Sequence, residues 1–402
     1  MSMDLSTKRK KLSSVLYLGM TLSLGAWATA CALTPAHAES EPAPIPTLAL
    51  TALPAQAADV PWPTQTWPRG ATPLKLEQTL QTALGPTPHA GLENVRATLV
   101  VQKGKIIAEA YKQGFSATTQ FPSWSMAKSV THALMGILVR DGQLALNKPA
   151  PIDIWQRASN DLRAEITLNH LLRMQSGLAF EEVYDDPTKS HALPMLFGIG
   201  RLNTGGYAAS LPITYAPGTH WSYSSGTSNI LGWIMRRTLS TDRNAQASHA
   251  FMEQALLSPI GIRNAVPEFD RSGSFIGSSY IHMTAQDWAR FGLLYLRNGV
   301  WDGQKILPDQ WVNHARTLTD GSDGQYGAHF WLNALNPKTG KAALSDRIPT
   351  DAFMARGYGG QVTLIVPSLD MIVVMLGATY DGSPEPLITY MADVIAAATG
   401  TP

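Results

Sequence analysis

Ser125 and Lys128, separated by Met126 and Ala127, are the residues whose types and spacing could do chemistry. Positions i and i+3 share a helix face, so the lysine ammonium can reach the serine hydroxyl. A serine hydroxyl is a weak nucleophile at neutral pH, and a lysine serves as its base only where burial lowers its pKa. Serine with lysine is one of the variants of the triad logic of acyl transfer. The pattern Ser-x-x-Lys arises by composition roughly once in a chain of this length, usually on a solvated helix face, so its surroundings must decide. It occurs once here.

The surrounding residues predict a buried helix. Pro122 and Ser123 suit a helix entry, Val130, Ala133, Leu134, Ile137 and Leu138 recur at helical period, and Asp141-Gly142 supplies the stop. Ser125 then lies at the positive end of that helix, where developing negative charge is favoured and a backbone N–H can face an oxyanion.

Lys8-Arg9-Lys10-Lys11, an apolar run from Leu12 to about Leu33 and Ala36-His37-Ala38 read as a signal peptide over residues 1–38, which places the chain in the periplasm or outside the cell. Ala28-Thr29-Ala30-Cys31 offers a second reading, a lipoprotein anchored at Cys31, although the usual leading Leu is missing. Cys31 is the one cysteine, so a chain cut after Ala38 has neither disulfide nor thiol nucleophile. With 402 residues and 45% hydrophobic composition it can bury a large core. A net charge of +1 and no long basic run after residue 11 give no footprint for nucleic acid. The ten histidines show no metal-ligand spacing, and no metal or other cofactor is expected. There is no Gly-x-Ser-x-Gly elbow and no phosphate-binding glycine loop.

Residues 39–73, rich in Pro, Ala and Thr, read as an extended linker or arm with Trp62 and Trp67 near its end. A helix is expected from Leu74 to Leu84, then a hairpin with strands from Val95 to Val101 and from Ile106 to Tyr111. Residues 143–318 read mostly helical. A second hairpin follows, Gln361 to Val366 and Met371 to Gly377 around Pro367-Ser368-Leu369-Asp370, and a closing helix spans Leu387 to Ala398. The pattern predicts an α+β fold. Its antiparallel sheet is built from both chain ends (74–122 with 320–402) and flanked by the terminal helices. An inserted helical domain (123–319) encloses a cleft against it.

Five stretches together resemble the serine β-lactamase and penicillin-binding-protein superfamily, nearest its class C β-lactamase-like esterases and nylon-oligomer hydrolases. They are Trp124-Ser125-Met126-Ala127-Lys128-Ser129, Leu168 to Leu178, Pro217 to Ser225, Met283 to Leu294, and Arg356-Gly357-Tyr358-Gly359-Gly360-Gln361. The resemblance spans roughly residues 90–380. It implies Ser125 as nucleophile, Lys128 as base and Tyr223 as the phenol that passes a proton to the leaving group. From the residues alone, Tyr223 lies between a Pro-Gly turn and Gly226, so a loop can present it; the plain alternative is a packing tyrosine. The glycines beside Tyr358 let a ligand approach a strand edge that can offer a second oxyanion N–H beside that of Ser125, from Tyr358 or from Gln361, unless the glycines only make a bulge. His170 falls in the family's structural helix and reads as a core residue.

Two departures narrow the substrate. Where the β-lactamases and peptidases have an Asn two residues after the tyrosine, this chain has Ser225, and their Lys-Thr-Gly strand is replaced by Ala355-Arg356-Gly357. Trp124, Ser225, Arg356, Gly357, Gly359, Gly360 and Gln361 are the expected substrate contacts. The acidic stretch with Glu181, Glu182, Asp185 and Asp186 reads as a solvated loop, or, if it rims the pocket, as a site where Asp185 meets a substrate amine. The expectation is a hydrolase of a small ester or amide. A β-lactamase or D,D-peptidase and a catalytically silent cell-wall-peptide or β-lactam binding module are the alternatives. The oligomeric state is left open.

Overall fold

The computed structural model describes residues 50–377 and 383–400. The expected signal segment, Cys31 and the start of the linker lie outside the described residues. In chain order, α1 (Leu74–Leu84) precedes the hairpin β1 (Ala97–Gln102) and β2 (Lys105–Tyr111). β3 (Phe121–Pro122) leads through a 3₁₀ turn at Trp124–Met126 into α2 (Ala127–Arg140). Next come α3 (Leu168–Leu172), α4 (Ala192–Phe197), α5 (Thr204–Ala209), α6 (Ser225–Leu239) and α7 (Gln246–Met252). Then follow β4 (Val266–Pro267), β5 (Ile281–Met283), α8 (Ala285–Leu296), β6 (Val300–Trp301), β7 (Gln304–Lys305) and α9 (Trp311–Arg316). β8 (Trp331–Leu332), β9 (Phe353–Gly357), β10 (Gln361–Val366), β11 (Met371–Leu376) and α10 (Glu385–Thr399) complete the order.

Continuous apolar runs rich in β-branched residues form the central strands of the main sheet. It is antiparallel, in the order β2-β1-β11-β10-β9-β8, and Ala97 pairs with Leu376 where the two chain ends meet. Along β11, Ile372, Val374 and Leu376 face one core while Met371, Val373 and Met375 face another. The strands are apolar on both sides because both faces are covered. α1 and α10 pack over one face, through Leu76, Leu80, Leu387 and Val394. The other face meets α8, which brings Phe291 and Leu294 to the same core as α2. This is the α+β architecture expected, with terminal helices on the sheet and a helical insertion between its two halves.

α2 is the axis of that insertion. Every residue from Ala127 to Leu138 is buried, because α6, the 3₁₀ turn and the end of β9 surround it. Gly136 is required there: a Cβ would come within 2.4 Å of the Trp311 indole nitrogen. In α3, His170 is a capping residue. The Thr167 hydroxyl accepts from the His170 N–H and the His170 ring accepts from the Thr167 N–H, so the helix entry is satisfied on both sides.

Residues 50–73 contain no helix and one bridge, Arg69 to Ile106. They lie along α8 and α9. Trp67 is buried, Trp62 packs on Trp301 with ring centroids 5.1 Å apart, and Arg316 donates to the Thr51 carbonyl at 2.6 Å. Among the described residues no helix is long and apolar enough to cross a membrane.

Candidate active site

Ser123 fixes the turn that carries Ser125. Its hydroxyl donates to the Ser279 carbonyl at 3.0 Å and accepts from the Ile281 N–H at 3.0 Å, clamping the turn to β5. Trp124 follows with φ 45°, a left-handed conformation that costs a bulky residue roughly 1–3 kcal/mol and persists only where the surroundings impose it. The next residue is Ser125, half-buried and open to a cavity.

Lys128, one turn on, is 2% exposed. Its Nζ stands 3.1 Å from Ser125 Oγ, 2.9 Å from Ser225 Oγ and 3.0 Å from the Ser278 carbonyl oxygen. Burial pushes the lysine pKa down to about 8, against the pull of Glu182, which favours the ammonium. A usable fraction of neutral amine therefore exists near neutral pH.

Tyr223 comes from the loop that ends at α6. Its ring lies over Lys128, with Nζ 4.8 Å from the centroid. Loss of water and then the charge of Glu182 push its pKa well up, so it stays a neutral phenol. Trp331 of β8 packs on it at 5.1 Å, and Arg356 of β9 stands over the indole of Trp331.

Gly357, at the end of β9, allows the sheet to touch the serine turn. A Cβ there would lie 2.4 Å from the Ser123 carbonyl oxygen. Gly359 and Gly360 follow with φ 74° and 80°, left-handed positions that favour glycine, and they turn the chain back into β10.

The cavity in front of Ser125 has a volume of about 610 Å³. Trp124, Ser125, Tyr223, Arg356, Gly357, Tyr358 and Gly360 line it, with Leu193, Leu196 and Phe197 of α4 forming an apolar wall. The other expected contacts lie elsewhere. Ser225 is wholly buried behind Lys128, and Gly359 is buried within its turn. The Gln361 side chain is a structural tie, donating to the Pro122 carbonyl and accepting from the Gly377 N–H. Asp185 is exposed and is not part of the cavity lining.

Glu182 and Trp331 line the cavity too, though the sequence did not single them out. Glu182 accepts from the Ser225 N–H at 2.8 Å, from the Ser225 hydroxyl at 2.7 Å and from the Tyr184 hydroxyl at 2.6 Å. Nothing in the spacing separated it from Glu181, Asp185 and Asp186. Trp331 sits in a two-residue strand without a motif. Among the described residues no group of His, Cys, Asp and Glu side chains could hold a metal ion.

Known proteins share this arrangement of chain. A 6-aminohexanoate-dimer hydrolase of Paenarthrobacter ureafaciens is 22% identical over 303 residues, covering 71% of this chain and 73% of that one. EstCE1, a hydrolase with promiscuous acyltransferase activity, superposes with a TM-score of 0.63 at 16% identity, covering 80% of this chain and 98% of its own. A class C beta-lactamase in complex with cefoxitin superposes at 0.58 and 16%, covering 80% and 99%. These structures share the fold. The sequence profile described as Beta-lactamase matches residues 96–397, about three quarters of the length, and by that match the chain belongs to the beta-lactamase family of serine hydrolases.

Proposed function

We propose that the chain is an exported serine hydrolase that cleaves a small ester or amide through an acyl-enzyme on Ser125. The observation that carries this is the buried Lys128 amine 3.1 Å from Ser125 Oγ, with its pKa lowered to about 8. The neutral amine takes the serine proton as Oγ bonds to the substrate carbonyl carbon. The resulting ammonium returns that proton through the Tyr223 hydroxyl to the departing oxygen or nitrogen as its bond to the carbonyl breaks. Water then repeats the sequence in reverse and frees the acid. The N–H groups of Ser125 and Tyr358 hold the oxyanion, and loss of one such donor costs roughly a hundredfold or more in turnover.

The cavity wall and the two departures support an ester or amide over a β-lactam. Leu193, Leu196, Phe197 and Trp331 suit an apolar acyl or leaving group. Ser225 and Ala355-Arg356-Gly357 stand where β-lactam recognition has an amide and a Lys-Thr-Gly strand. The similar hydrolase of the 6-aminohexanoate dimer agrees with that preference.

Labelling with a fluorophosphonate probe tests the nucleophile. The wild-type chain is expected to gain one adduct and Ser125→Ala none; an adduct formed at equal rate on the variant refutes the assignment. A labelled penicillin and a short-chain nitrophenyl ester, compared on one sample, decide the substrate. Faster acylation by the penicillin indicates a β-lactamase or peptidase, and no acyl-enzyme with either indicates a binding module.

A further inference from the structure

Three oxygens surround the Lys128 amine, and two of them have fixed roles. The Ser278 carbonyl oxygen can only accept. The Ser225 hydroxyl has a single proton, and Glu182, a carboxylate with acceptors alone, takes it at 2.7 Å while also accepting from the Ser225 N–H at 2.8 Å. Ser225 Oγ therefore faces Lys128, 2.9 Å away, with a lone pair. A neutral primary amine has two N–H donors and one lone pair. Both donors are claimed, by Ser225 and Ser278, so the lone pair points at the third neighbour, Ser125 Oγ.

We propose that Glu182 is a positioning residue for acylation: by holding the Ser225 hydroxyl as a donor away from Lys128, it turns the lysine lone pair onto Ser125. The proposal rests on the reading of Lys128 as base. Tyr184 fixes the carboxylate in turn, through its bond to the same oxygen that Ser225 uses. Without Glu182 the Ser225 hydroxyl is free to rotate and donate to the amine, capturing the lone pair that deprotonates Ser125.

Glu182 has a second, opposing effect, because its charge favours the ammonium. The other ionisable groups around Lys128 are Tyr223 and His329, with Tyr326 and Arg356 beyond Tyr223. Burial holds the tyrosines neutral and lowers His329 to about 3.

The test follows acylation of the full chain from pH 5 to 10 with a neutral fluorophosphonate and a neutral short-chain nitrophenyl ester. Neither probe offers Glu182 a charge to bind. Glu182→Ala is expected to lower the plateau acylation rate about tenfold or more, as a misaimed reacting group does, with KM for the ester within about threefold. Glu182→Gln keeps an acceptor and loses the charge, so its plateau lies above that of Glu182→Ala and its acid limb moves to lower pH. Ser225→Ala and the double variant Glu182→Ala/Ser225→Ala are expected to lose about as much as Glu182→Ala alone, because all three break one bond chain. Additive losses, an acid limb that does not move in Glu182→Gln, or a lower melting temperature with an unchanged pH profile overturn the proposal. The base reading fails separately: it falls if Lys128→Ala acylates as fast as wild type, whatever the Glu182 variants do.

Discussion

As the proposed base, Lys128 gains its chemistry from the absence of water. Arginine at that position would keep the charge but could not be deprotonated, so Lys128→Arg is expected to lose about a hundredfold or more in kcat for a nitrophenyl ester, close to the loss for Lys128→Ala. Equal activity of Lys128→Arg and wild type would show that the cation, not the base, matters. The sign of the pH dependence follows from the same group: the amine must be neutral, its pKa lies at about 8, and acylation rises as pH increases through that value. Tyr223→Phe separates the steps. A nitrophenolate leaves without a proton and an anilide does not, so the variant is expected to lose far more anilide than nitrophenyl ester turnover, and equal losses would exclude the phenol as the proton donor.

Two elements meet edge to edge to make the site, the serine turn and the end of β9. Their contact depends on Gly357, because an added Cβ meets the Ser123 backbone oxygen at 2.4 Å and neither partner is a flexible side-chain end. Gly357→Ala is expected to force the strand and the turn apart, at about 1–3 kcal/mol of stability, and to lower kcat well beyond what that destabilisation explains. Urea unfolding beside esterase rates on the same preparation checks this, and wild-type rates in a destabilised variant would show that the turn holds without the strand. The sequence placed a glycine edge here from Gly357, Gly359 and Gly360. It could not say that Gly357 packs on the Ser123 carbonyl while Gly359 and Gly360 turn the chain, since three glycines in a row of four look alike before the partner is known.

In and around α2 the molecule packs three histidines, His132 and His329 buried and His314 half-buried. His132 bonds Tyr295 at 2.8 Å and His314 at 3.2 Å, and His329 bonds Ser228 and the Leu172 carbonyl. Burial lowers His314 and His329 to about 3 and His132 well below its ordinary value. Their folded pKa values lie below the unfolded value of 6.5, so the unfolded chain binds more protons in acid. Stability is fully present above about pH 6.5 and is lost as pH falls from there toward 3, by about 1.4 kcal/mol per pH unit for each such histidine once it titrates. Denaturant midpoints at pH 7.5 and 5.0 measure the loss, and His329→Gln, which retains a hydrogen-bonding group without titrating there, is expected to flatten it. A midpoint that does not change with pH would remove the histidines as its cause.

The sequence alone indicated the two hairpins of the sheet and a serine and a lysine one helical turn apart, because each depends on local periodicity or on near neighbours, whereas the pairing of Ala97 with Leu376 that joins the hairpins does not. α1 falls on Leu74–Leu84 as expected, and β10 and β11 bracket Pro367-Ser368-Leu369-Asp370 as the hairpin pattern required. Tyr223 and Arg356 came from motif order. Tertiary structure alone decided the rest of the site. Glu182 bonds Ser225 across 43 positions and Lys128 meets Ser278 across 150, and no period or propensity links residues that far apart. Among four nearby carboxylates, Glu182 stands apart through the hydroxyl that α6 presents to it. The Gln361 side chain is drawn into bonds with Pro122 and Gly377, because a buried amide must satisfy its own donors and acceptors wherever the fold leaves it.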